Sequence, residues 1–288
     1  MSKRSEKKSK QAVSKRKLAA IIIGAVCVLG GAGTAAVLLR PQPAPEPEPI
    51  IGTTEPSETT EVSEVFDPSS VVAGDVNGMT GKARTLIAHY NADTVGWITI
   101  PETKVDNPIV QVADNEYYLD HGFDHQPFRA GTVFMDYRDH FGFDEASQSA
   151  NIILYGHNMA NNTMFGSLRR YRQDLTYYKT APYIELESNF QHYTYVIVAL
   201  TITDGSAAAS WRYWDMEDFP NQEAFDAYVE TARQKSLVQI PIDVQYGDKL
   251  LTLSTCYSDA DDSRFLVIAR RVRPGESAET FQDVFAQN

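Results

Sequence analysis

Lys249-Leu-Leu-Thr-Leu-Ser-Thr-Cys256, followed after seven residues by Arg264-Phe-Leu-Val-Ile-Ala269, reads as two β-strands joined by a short connection. Both runs are apolar and rich in β-formers, and each carries a polar functional group at the end next to the connection. A hairpin of this kind sets Cys256 and Arg264 on neighbouring strands, so a thiol and a guanidinium can meet at one rim of the sheet. A third group ends a strand in the same way. Asn151-Ile-Ile-Leu-Tyr-Gly-His157 carries an imidazole just past a run of apolar residues, with Gly156 permitting a sharp turn.

Working outward, short β-rich runs stand at residues 95–100, 107–112, 132–136, 151–155, 193–203, 249–256 and 264–272. Their irregular spacing, without alternating βα units, predicts a mainly β domain, a mixed barrel or sandwich, and not a doubly wound sheet. Few helices interrupt it. Residues 82–91 space Leu86, Ile87 and Tyr90 helically, and residues 221–235 set Phe225, Tyr228, Val229 and Ala232 on one face, an amphipathic helix inserted before the late strands. No phosphate-cradling glycine loop and no metal-spaced His or Cys cluster is visible, so no cofactor or metal is expected.

The rest of the 288-residue chain reads as appendages to this domain, taken as 78–288. Residues 1–17 hold eight Lys or Arg against the single acid Glu6, and residues 18–39 follow without a charge. Twenty-two apolar residues at about 1.5 Å each are long enough for a hydrocarbon core of about 30 Å. The basic flank predicts a cytoplasmic N-terminus and a single-pass, cell-membrane protein whose catalytic domain lies outside. The alternative is a cleaved secretory signal, with small residues at Gly33-Thr-Ala-Ala36. Residues 40–77 are rich in Pro, Glu and Thr, too polar to fold, and read as an extended tether. Residues 76–288 carry 17 Lys or Arg against 29 Asp or Glu. That acidity excludes nucleic acid as the expected partner, since a phosphate backbone wants a basic groove.

The two cysteines are Cys27, inside the apolar segment and expected to pack there, and Cys256, which has no partner within the outer domain. In an oxidising compartment such a thiol is either a buried small side chain or a nucleophile. Thiol, imidazole and guanidinium together supply a nucleophile, a proton carrier and an oxyanion donor that never loses its charge.

The sequence Thr252-Leu-Ser-Thr-Cys256 with Arg264 downstream and Tyr155-Gly-His-Asn158 upstream resembles the signature of the sortases, the cysteine transpeptidases of Gram-positive cell surfaces. The resemblance covers residues 80–275. Class B is the best fit, through Asn107-Pro-Ile-Val-Gln111, Asp114-Asn-Glu-Tyr-Tyr-Leu119, the run GTVFMDYR at 131–138 and Met164-Phe-Gly166, and the helix at 221–235 matches the insertion that class carries. The resemblance implies a sortase-type mixed β-barrel and a two-step acyl transfer. Cys256 would attack a threonine carbonyl in the C-terminal sorting motif of a secreted protein, and a peptidoglycan-precursor amine would resolve the thioacyl intermediate. It also implies His157 as acid and base, Arg264 as oxyanion donor, and Asn115, Leu119, Tyr155, Ser254 and Thr255 as sorting-peptide contacts. Rival readings are a pilin-polymerising sortase, another cell-wall cysteine peptidase, and a non-enzymatic tethered β domain with a buried cysteine.

Overall fold

Eight strands are laid down in chain order: β1 Thr94–Thr99, β2 Asp106–Val110, β3 Phe134–Met135, β4 Asn151–Tyr155, β5 Tyr183–Ser188, β6 His192–Asp204, β7 Leu250–Cys256 and β8 Ser263–Arg271. They close into a barrel in the order β1-β2-β3-β4-β7-β8-β6-β5, with β5 pairing back onto β1. Two pairings are parallel, β2 with β3 and β4 with β7, and the rest are antiparallel, so the barrel is mixed as the sequence predicts. The computed structural model describes residues 79–142, 144, 146–256 and 262–286, all within one compact unit.

β4 and β7 carry apolar or small side chains on both faces because both faces are covered. Their burial is unbroken until the last residue of each strand, as a parallel pair inside a closed barrel requires. Ile152, Leu154, Leu251, Leu253, Leu266 and Ile268 are sealed in the core. One polar knot crosses it: the Thr252 hydroxyl donates to Asn151 Oδ1 at 3.0 Å and lies 3.0 Å from the Tyr228 hydroxyl, so each buried polar group has a partner.

Among the described residues four α-helices decorate the barrel: α1 Gly81–His89, α2 Arg169–Gln173, α3 Gln222–Gln234 and α4 Ala278–Ala286. The side chain of Thr80 caps α1 and that of Asn221 caps α3, each accepting from a backbone N–H of the first turn. α3 buries Phe225, Tyr228 and Ala232 between β6 and β7 in the chain, the insertion expected at 221–235. β5, α2 and α4 were not anticipated, and β3 pairs over two residues where five were expected.

The expected basic tail at 1–17, apolar segment at 18–39 with Cys27, and tether at 40–77 lie outside the described residues. The expected cell-membrane, single-pass localisation is corrected: among the described residues no helix is long and apolar enough to cross a membrane.

Candidate active site

The parallel register of β4 on β7 sets Tyr155 beside Ser254, and the Gly156 N–H donates to the Ser254 carbonyl at 3.3 Å. Two residues further along each chain stand His157 and Cys256. On the other side of β7, the antiparallel register sets Cys256 directly opposite Arg264. Opposed residues of an antiparallel pair share a face with Cβ atoms about 4.5–5.5 Å apart. Imidazole, thiol and guanidinium therefore lie at the ends of three adjacent strands, on one rim.

Two glycines make room for this rim. A Cβ on Gly156 would fall 2.8 Å from the buried Phe165 ring, so only glycine lets the chain leave β4 and turn over that ring. A Cβ on Gly205 would meet the Arg264 side chain at 2.6 Å, so the bare backbone past β6 is the bed on which that guanidinium's stem lies.

Each of the three groups has its own restraint. His157 Nε2 is 2.7 Å from the Leu119 carbonyl, and a carbonyl only accepts, so Nε2 carries the proton and Nδ1 is left to take one. Asn158 Nδ2 donates to the Cys256 carbonyl at 3.0 Å, tying the turn after β4 to the end of β7 across 98 positions of sequence. Cys256 is half-buried and unpaired. Arg264 reaches the Ser263 carbonyl at 3.3 Å. Among the described residues no carboxylate lies within ion-pair distance of its guanidinium.

The other expected site residues fall into three sets. Asn115 and Tyr155 converge on Asp136: Asn115 Nδ2 and the Tyr155 hydroxyl donate to its Oδ2 at 2.9 and 3.0 Å. Leu119 is exposed and meets His157 through its backbone. Ser254 and Thr255 are both buried, on opposite faces of β7; the Ser254 hydroxyl is 2.7 Å from that of Tyr213. Burial pushes the Tyr213 phenol up, against the opposing pull of the Ser254 hydrogen bond and the Arg264 charge.

Asp136, Arg138, Asn158 and Tyr213 were not singled out from sequence. Burial alone would raise the Asp136 carboxyl, but hydrogen bonds from Arg138 and Asn115 outweigh it and hold the group below the usual range. Its neighbour Asp139 lacks such donors. Burial first, then the charges of Asp136 and Glu217, push Asp139 up to about 8, although Ile153 N donates to its Oδ2 at 2.6 Å. A cavity of about 300 Å³ lined by Arg233, Gln239 and residues 240–243 shares no residue with the rim, and geometry favours the rim as the reacting site.

Comparison with known proteins agrees with this fold. A sortase-domain family model matches residues 98–272. Sortase B of Listeria monocytogenes is 35% identical over 189 residues, covering 65% of this chain and 72% of that protein. Sortase B of Staphylococcus aureus is 28% identical over 186 residues, covering 64% and 72%. Among solved structures, sortase B from Bacillus anthracis in complex with AAEK1 matches with a TM-score of 0.59 at 30% identity, over 71% of this chain and 90% of that one. A Staphylococcus aureus sortase B–substrate complex matches with a TM-score of 0.59 at 28% identity, over 67% and 85%. The chain belongs to the sortase family of cysteine transpeptidases, and its relatives place it in class B.

Proposed function

We propose that residues 78–288 form a catalytic domain that cleaves the C-terminal sorting motif of a secreted protein and joins the new carboxyl end to a peptidoglycan-precursor amine. The Cys256 thiol gives its proton to His157 Nδ1 as its sulfur attacks the carbonyl carbon of the scissile amide. The tetrahedral oxyanion is held by the Arg264 guanidinium, and as the C–N bond breaks His157 delivers a proton to the departing amine. A thioester to Cys256 remains. The incoming amine attacks the same carbonyl, gives up a proton to His157, and expels the thiolate. Atoms and charge balance without a cofactor.

The observation that carries this reading is the register of β4, β7 and β8, which sets the three groups on consecutive strand ends. The Nε2–H of His157, committed to the Leu119 carbonyl, supports it further, because it leaves Nδ1 as the nitrogen that exchanges a proton. Asn115, Leu119, Tyr155, Ser254 and Thr255 are assigned to the peptide side, Ser254 and Thr255 as buried groups next to the thiol in β7. That a sortase B relative has been solved as a substrate complex supports a peptide-binding face on such a barrel. The test is a C-terminal peptide library offered with and without an amine nucleophile. Cleavage with amine incorporation supports transfer, and a wild-type chain that cleaves nothing sinks it.

A further inference from the structure

The Asp136 carboxylate takes no part in the chemistry above, yet it is the most heavily bonded acid beside the site. It is 1% exposed. Its Oδ1 accepts from Arg138 N at 3.1 Å and Arg138 Nε at 2.9 Å; its Oδ2 accepts from an Arg138 terminal nitrogen at 3.0 Å, Asn115 Nδ2 at 2.9 Å and the Tyr155 hydroxyl at 3.0 Å. A buried carboxylate is costly unless its lone pairs are used, and here five donors use them.

Those bonds dictate what the neighbours can offer. Asn115 Oδ1 accepts from Tyr137 N at 3.0 Å, so both ends of that amide are committed and its orientation is fixed. The one proton of the Tyr155 hydroxyl goes to Asp136, so its oxygen is left with lone pairs only. The Tyr155 ring is held at 5.2 Å from Phe134. Arg138 runs on to the Trp214 carbonyl and to Asp215, which ties the same carboxylate to the loop before α3.

We infer that Asp136 is a positioning residue for the peptide side of the site: a buried charged acceptor that locks Asn115 and turns Tyr155 into an acceptor for a backbone N–H of the sorting peptide. The inference rests on the transpeptidase reading and on the peptide assignment of Asn115 and Tyr155. An amide in place of the carboxylate turns N–H groups toward donors, so Tyr155 must reverse its hydroxyl.

The experiment takes the full chain and the fastest-cleaved peptide from the library. Asp136→Asn is expected to raise KM about tenfold or more, the scale of losing hydrogen bonds to a charged acceptor, while kcat stays within about twofold. Iodoacetamide labelling of Cys256, read by peptide mass, should be unchanged. The double variant Asp136→Asn/Tyr155→Phe should be no worse than the worse single variant, because the two residues act as one unit. An unchanged KM, multiplying losses, or a fall in kcat together with thiol labelling each overturns the inference. If Asp136→Asn does not fold, Tyr155→Phe, which keeps the carboxylate, decides: a severalfold rise in KM supports the inference and none overturns it. A wild-type chain that labels but cleaves no peptide sinks the transpeptidase reading and this inference together, a result distinct from a variant that behaves as wild type.

Discussion

Two arginines stand six residues apart on β8 and live in different conditions. Arg270 is 1% exposed and grips Glu276 with two bonds of 2.6 and 3.1 Å, while also donating to the Arg271 carbonyl. Arg264, at the rim, is half-buried, bonds its own neighbour's carbonyl, and has no carboxylate in ion-pair distance among the described residues. The same side chain is neutralised at one end of the strand and, among the described residues, lacks a carboxylate within ion-pair distance at the other. A guanidinium that has spent its donors on a carboxylate has none for a developing oxyanion, so the difference separates a structural cation from one available to chemistry.

The sharpest way to break that comparison is at the rim itself. Cys256→Ala should abolish peptide cleavage with the thermal midpoint unchanged, and retained turnover in a peptide assay would remove the thiol from the proposed mechanism. His157→Ala should eliminate amine transfer as well, measured by mass of the joined product. Next comes the crossed pair. Arg264→Ala should cost about 10² or more in kcat with little change in stability, the scale of losing one oxyanion donor. Arg270→Ala should do the reverse, costing about 3 kcal/mol in denaturant unfolding because a buried guanidinium and its two bonds to Glu276 are lost, with kcat per folded molecule unchanged. If both variants lose activity and stability in the same proportion, the two ends of β8 are not functionally different.

A gentler test uses pH. Asp139 has a folded-state value raised to about 8 against an unfolded value near 3.8. Between those values the folded chain keeps a proton the unfolded chain has released, so stability is full below about pH 4 and falls as pH rises toward 8, by at most about 1.4 kcal/mol per unit. Asp139→Asn should flatten that slope in a series of urea titrations; an unaltered slope would mean the carboxyl is ionised in the fold. The smallest effect is expected at His192, whose bond to Glu185 raises it. Its contribution is present below about pH 6.5 and lost as pH climbs through the raised value. Glu185→Gln should change stability at pH 6 by less than about 1 kcal/mol, because the pair is largely solvated.

What the sequence discloses depends on how each segment is buried. β4, β7 and β8 are covered on both faces and read as unbroken apolar runs, so they and the polar groups at their ends are visible from composition alone. β5 alternates Tyr183-Ile-Glu-Leu-Glu-Ser188, with the acids facing outward, and glutamate's weak strand preference hides it. α4 follows Pro274-Gly275 and was not read from the sequence, although Phe281 is buried against the barrel. Asp136 is concealed for another reason. A single aspartate after two strand residues looks like surface, and only Asn115, Tyr155 and Arg138, brought from three parts of the chain, reveal it as interior. Ser254 illustrates the opposite gap: its place beside the thiol is legible, whereas its burial against Tyr213 depends on the segment before α3 folding over β7.

The parallel pairing of β4 with β7 has a kinetic corollary. A local hairpin suffices to bring sulfur and guanidinium together, but the imidazole arrives only when a loop of nearly a hundred residues closes, a step whose entropic cost grows with the logarithm of length and which slows folding. A nascent or partly denatured chain thus holds a thiol without its imidazole, and the complete trio exists only in molecules whose barrel has shut.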